Sequence, residues 1–318
     1  MKKFFTFCVV LTLSVFSLSA CDEDNSLHSI FYEEDSREEY SESERNNEKE
    51  PSSDYSSQRI TKISYLMNTI SSSLSMQGSA IYGTTLFQFA NGHSSVFVYD
   101  LENKKQLGTI STKKNSKWHN NQATFSHSFY DESDEFPLLY VSQIEPSEQS
   151  IQVWRIVRKE ELFDLQLVQQ IKLPYDNDNN NLFHFNIVID DHDEFFWLYS
   201  RNRTTSMGQI SKWKLPDFHM EKVTLKEDDI LFRFPIDLNL SDAQGGTMFG
   251  QRIYFVQGVP NRSALQLHII NTNTQQILSF NLREFNFSVE PEGLSFFHDH
   301  LICATNRKGL YEIFLNAY

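Results

Sequence analysis

Nine residues of this 318-residue chain pair a chemically useful side chain with a shared place in the pattern: Gln77, Trp118, His119, Asn121, His184, Asp242, Gln244, Glu290 and Glu292. Each lies in a polar stretch that leads into a segment of strand character. Imidazole titrates near neutral pH and coordinates through either nitrogen, so His119 and His184 offer acid-base or ligand chemistry. Asp242, Glu290 and Glu292 offer carboxylates that accept from a ligand hydroxyl or hold a cation, and Trp118 offers a face for stacking. The ordinary structural uses of these residues stand beside those roles. A strand histidine is commonly hydrogen-bonded in place, and a carboxylate at a strand start commonly binds neighbouring backbone amides.

Other polar clusters carry less. Asp176-Asn177-Asp178-Asn179-Asn180-Asn181 places oxygens at alternate positions, as the start of a calcium loop does. The match then fails, because Asn181 stands where glycine is required and Ile187 where the closing glutamate belongs. Asp190-Asp191-His192-Asp193-Glu194 reads as a charged hairpin turn on the opposite face from the nine candidates. Cys303, in the apolar run Leu301-Ile302-Cys303-Ala304, reads as a small buried hydrophobe. No phosphate loop, nucleophile elbow, His-Glu-x-x-His or paired-cysteine motif occurs, so the sequence assigns no catalytic residue, no metal and no cofactor.

Residues so far apart need a repeated scaffold to bring them together. His119 to Leu173 holds four strand signals in succession, HNNQATFS, FPLLYVSQI, SIQVWRIVRKE and FDLQLVQQIKL, separated by polar turns. One four-stranded sheet leaves a face uncovered, so the pattern should recur, and it does. Ser75 to Thr112 forms a first unit, His119 to Leu173 a second, Leu182 to Ile236 a third and Asp242 to Leu282 a fourth. A fifth, from Glu290 to Leu315, shows three strands, and the isolated strand Arg59 to Met67 is the expected fourth. The expectation is an all-β chain, a β-propeller of five four-stranded blades closed by the N-terminal strand, with six blades as the alternative count. The polar lead-in repeated in every unit argues against a β-sandwich. The stretch from Glu221 to Ile236 is long for one strand and has room for a short helix.

The N-terminal end reads differently. Lys2 and Lys3 precede an apolar run from Phe4 to Phe16 and then small residues, the pattern of a secretory signal over residues 1–20. Leu18-Ser19-Ala20-Cys21 resembles the lipobox of bacterial lipoproteins. The resemblance implies cleavage before Cys21, acylation of Cys21 and attachment to a membrane through lipid. Residues 21–58 read as a disordered acidic tether, since positions 22–58 carry 13 acidic and 3 basic side chains. Cys21-Asp22-Glu23-Asp24 also looks like the acid-rich segment of surface-exported lipoproteins of Bacteroidota. That resemblance implies an outer-membrane, surface-exposed location. An Asp directly after the cysteine also resembles an inner-membrane retention signal of enteric bacteria, so the leaflet stays open.

The propeller domain is then residues 59–318. Of the net charge of −14 the tether carries −10 and residues 59–318 only −6, and no basic stripe remains there to attract nucleic acid. The composition fits a non-catalytic binding or scaffold module for a glycan, a peptide or an envelope protein. The alternative is a glycoside hydrolase-like enzyme, similar in architecture to five-bladed glycosidases, with Asp242 and Glu290 or Glu292 as the carboxyl pair.

Overall fold

The computed structural model describes residues 57–69, 74–91, 95–111, 119–144, 149–160, 162–174, 182–202 and 204–316, without the side chains of 119, 144 and 182–185. The signal, Cys21, residues 22–56 of the tether, Trp118 and the Asp176–Asn181 run lie outside the described residues, while Gln58, read with the tether, is buried. Strand β1 (Ile60–Met67) comes first. The first blade is β2 (Met76–Tyr82), β3 (Thr85–Ala90), β4 (Ser95–Asp100) and β5 (Lys105–Ser111). The second is β6 (His119–Phe125), β7 (Leu139–Ile144), β8 (Gln149–Lys159) and β9 (Leu162–Lys172). The third begins with β10 (Leu182–Ile189), β11 (Phe195–Asn202) and β12 (Met207–Lys214).

Here the expected single segment from Glu221 to Ile236 divides. Lys222–Thr224 forms β13, which leaves its own blade and pairs in parallel with Gln170–Lys172 of β9. A 3-10 turn at Glu227–Asp229 follows, and Ile230–Asn239 forms β14, the outer strand of blade three. Blade two therefore has five strands. Gln169 holds this detour in place, its amide donating to the carbonyls of Asp217 at 2.7 Å and Met220 at 2.8 Å.

Blade four is β15 (Ala243–Phe249), β16 (Arg252–Gln257), β17 (Gln266–Asn271) and β18 (Ile277–Asn281). Blade five is β19 (Pro291–Phe297), β20 (His300–Thr305) and β21 (Leu310–Leu315). Strand β1 pairs antiparallel with β21, setting Ile63 opposite Ile313 and Tyr65 opposite Tyr311.

Second strands such as β20 are buried along their whole length, whereas the outer strand β9 alternates between exposed and half-buried residues over most of its length. That difference explains why Leu301 to Ala304 is an unbroken apolar run and Phe163 to Leu167 is not. Five buried clusters sit between successive blades, the last joining Met67, Ile302 and Leu310 of blade five to Leu86 and Tyr99 of blade one. Full burial of each such side chain stabilises by roughly 1.5–3 kcal/mol. Trp154, Trp197 and Trp213 belong to these clusters, as their alternation in the strands implies. Cys303 is fully buried, and its burial pushes the thiol pKa up, away from any nucleophilic form.

Candidate functional site

Every inner strand carries a register shift at its start. The shifts fall between Met76 and Ser79, Asn120 and Gln122, Phe183 and Asn186, Ala243 and Gly246, and Pro291 and Gly293. A bulge turns the backbone and re-aims the side chain it displaces. Gln77, Asn121, His184, Gln244 and Glu292 occupy these five bulges, so residues far apart in sequence come to equivalent places on one face of the ring. We refer to it as the upper face.

The backbones converge just inside the bulges. A Cβ on Gly78 would lie 2.8 Å from the Gln122 backbone, and one on Gly245 would lie 2.6 Å from the Gly293 Cα. Only glycine permits such an approach, which is the use of the small residues in Ala243-Gln244-Gly245-Gly246 and Glu292-Gly293. Gln122 fills what remains of the axis at this level. Its carbonyl oxygen accepts the Gly246 N–H at 2.7 Å, and its amide donates to the Gly246 carbonyl on the far side of the ring.

The candidates divide by burial. Gln77 is 4 %, Asn121 2 % and Glu292 0 % exposed, so these three face the packed axis and not solvent. The Asn121 amide donates to Asn186 Oδ1, and Asn186 in turn donates to the Gln244 carbonyl at 3.2 Å. The same carbonyl accepts the Tyr199 hydroxyl at 2.7 Å, and burial raises the pKa of that phenol well above its ordinary value. Asp242, Gln244 and Glu290 are half-buried. Asp242 lies 3.5 Å from the exposed Arg262 guanidinium, while Glu290 Oε2 accepts the Asn306 amide at 2.7 Å. His119 and His184 are placed by β6 and β10 only as backbone.

Glu292 is a carboxyl with no exposed surface. Burial, with a smaller contribution from the Glu290 charge, holds its carboxyl well above the usual carboxylate range. Neither of its oxygens accepts a hydrogen bond. With no exposed surface, it has none to offer a glycosidic bond. Among the described residues no group of three or more His, Cys, Asp or Glu side chains is placed to hold a metal.

The opposite, lower face holds a hollow of about 480 Å³ on the axis, bordered by the far ends of all five inner strands. Tyr82 and Phe249, 38 % and 52 % exposed, stand at its edge with Phe125 and Phe296 beside them. Thr124, Ser126, Thr247 and Asp191 add oxygens. Sequence reasoning passed over this end because its residues look like strand interiors and a charged turn.

That turn braces the rim. The Asp193 carboxylate accepts the His127 N–H from blade two at 2.8 and 2.7 Å, and Asp191 Oδ2 accepts the Gly250 N–H from blade four at 2.8 Å. Asp190 closes the turn itself by accepting the Glu194 and Phe195 N–H groups at 3.1 Å. Three carboxylates thus fix three lower-face connections relative to one another, each such charge-assisted bond being stronger than a neutral one.

The fold class is the five-bladed β-propeller, established by the strand pairing. No protein-family model matches the sequence, and no curated protein is similar to it. Among solved structures, glutaminyl cyclase of Myxococcus xanthus is 9 % identical, with 82 % of this chain and 97 % of that chain covered and a TM-score of 0.49. Virginiamycin B lyase of Staphylococcus aureus is 12 % identical over 80 % of this chain and 99 % of that one, with a TM-score of 0.38. Hydrazine synthase of Kuenenia stuttgartiensis is 12 % identical over 72 % of this chain, which spans 61 % of that chain, with a TM-score of 0.38. At these identities the likeness concerns the course of the chain and no site.

Proposed function

We propose that this protein is a lipid-anchored component of a bacterial cell envelope, and that its propeller binds a glycan at the lower-face hollow without breaking a bond in it. The observation that carries the reading is the hollow itself. A volume of about 480 Å³ falls within the range of small-ligand sites. Aromatic rings of Tyr82, Phe249 and Phe296 line it together with hydroxyls of Thr124 and Thr247, the combination that stacks on a sugar ring while bonding its hydroxyls. Asp191 Oδ1 supplies a charged acceptor, since its other oxygen holds Gly250. The buried upper-face carboxyl Glu292 supports a non-catalytic role, and Leu18-Ser19-Ala20-Cys21 with its acid-rich sequel supports the anchor and an outer-membrane location.

The experiment screens the purified chain on arrays of bacterial glycans and of peptides. A glycan hit should weaken by tenfold or more in Tyr82→Ala and Phe249→Ala with an unchanged melting temperature. A ligand whose affinity is insensitive to both, or a peptide as the only hit, overturns the assignment. Cys21→Ser should move the chain from the membrane to the soluble fraction, and unchanged membrane association overturns the anchor.

A further inference from the structure

The junction of blades five and one on the axis gathers oxygens that nothing satisfies. Glu292 stands there at the bulge of β19, fully buried, with neither carboxylate oxygen hydrogen-bonded. Ser79 and Gln88 face each other in the register of β2 and β3, and both are buried. Ser79 Oγ and Gln88 Oε1 also receive no hydrogen bond. Ser79 packs against the residue next to Glu292, since a Cβ on Gly293 would come within 2.1 Å of Ser79 Oγ. Gln88 reaches the same strand pair from the other side, its amide donating at 3.4 Å to the carbonyl of Thr305, the register partner of Pro291.

Leaving such groups bare is costly. A buried polar atom without a partner destabilises the fold, and an ionised carboxylate does so more strongly. Among the described residues no lysine, arginine or histidine side chain bonds any of these three. The unpartnered atoms are all oxygens, and hydrogen bonds do not join them to one another. Oxygens of these kinds are the ligands of hard cations, at roughly 2.3–2.6 Å. We infer that this junction is a binding site for a hard cation, with Glu292 as the anionic ligand and Ser79 and Gln88 as neutral oxygen ligands.

The ligand set limits the ion. Oxygen donors without imidazole or thiolate suit Na⁺, Ca²⁺ or Mg²⁺ and do not suit zinc or copper. Glu290 decides between single and double charge. It lies close enough to oppose the ionisation of Glu292 and keeps Oε1 beyond its bond to Asn306. A divalent ion would draw on both carboxylates, and a monovalent ion on Glu292 alone. In either case the ion would join the first blade to the last, at the place where the ring meets itself.

The test follows the melting temperature of the purified full chain in detergent, after exhaustive chelation, as NaCl, CaCl₂ or MgCl₂ is added against choline chloride at equal ionic strength. One of the three should raise the transition saturably by about 5 °C at a hundredfold excess over its dissociation constant. Metal analysis should find one ion per chain. The rise should vanish in Glu292→Gln and weaken at least tenfold in Ser79→Ala, which keeps the inference testable if the first variant does not fold. Loss of the effect in Glu290→Gln as well identifies a divalent ion, and its retention a monovalent one. Equal transitions in all salts, or a rise that persists in Glu292→Gln, overturns the inference.

Discussion

Gln122 and Gly246 exchange two hydrogen bonds across the propeller axis, between blades that are not neighbours in the ring. The side-chain oxygen takes the glycine N–H at 2.7 Å and the side-chain nitrogen gives to the glycine carbonyl. Both groups are buried, so a single side chain satisfies two backbone atoms that water does not reach. The crosslink ties the inner strands of blades two and four to each other directly across the axis.

Gln122→Ala should therefore cost about 2–4 kcal/mol, because it strands the Gly246 N–H and C=O and leaves a cavity on the axis. Urea unfolding measures it. A loss below about 0.5 kcal/mol would mean that the axis closes without this side chain.

Two buried groups give the stability opposite pH limbs. His268 sits in β17 with Nδ1 2.8 Å from Ser279 Oγ and its ring 4.8 Å from Phe255, and burial pulls its pKa down to about 4. Above pH 6.5 neither the folded nor the unfolded ring binds a proton. Between about 6.5 and 4 the unfolded ring binds one that the folded ring refuses, so stability falls as pH falls, by at most about 1.4 kcal/mol per unit. Glu292 acts in the other direction. With no cation bound, its folded carboxyl keeps a proton that the unfolded chain releases above its ordinary value of 4.5, so stability of the chelated protein falls as pH rises from there. His268→Leu should flatten the acid limb and Glu292→Gln the alkaline limb in unfolding curves collected across pH. Unchanged limbs in these variants would assign the pH dependence to other groups.

The pairing of β1 with β21 gives a prediction about truncation. Removing residues 22–56 should leave the melting temperature unchanged, whereas removing residues through 68 takes away Ile60 and Met67, both buried. It also bares the edge of β21. The second deletion should cost at least about 4 kcal/mol, the lower figure for losing two buried aliphatic side chains. Equal melting of the two truncations would show that β1 contributes nothing to the ring.

The sequence by itself determined the local elements and their recurrence. Four strand signals between polar turns, repeated from Ser75 to Leu315, require only alternation and turn chemistry, both of which are set by near neighbours. The polar lead-in of each unit likewise marked His119, Asn121, His184, Gln244 and Glu292 as equivalent; the last four do lie in the bulges, with Gln77 in the fifth, whereas His119 pairs with Ile144 before its bulge. What those residues do was decided by tertiary structure. A polar side chain beside an apolar strand reads alike whether it faces solvent or the backbone of a distant blade. Only the convergence of Gly78, Gly245 and Gly293 shows that the axis closes over Asn121 and Glu292. The same holds for Lys222–Thr224, whose parallel pairing with β9 depends on Gln169 capturing the loop at Asp217 and Met220. It holds too for Asp191 and Asp193, which look like turn residues and serve blades on either side. Each of these outcomes joins positions about fifty or more apart in the chain, and no pattern of near neighbours encodes such a contact.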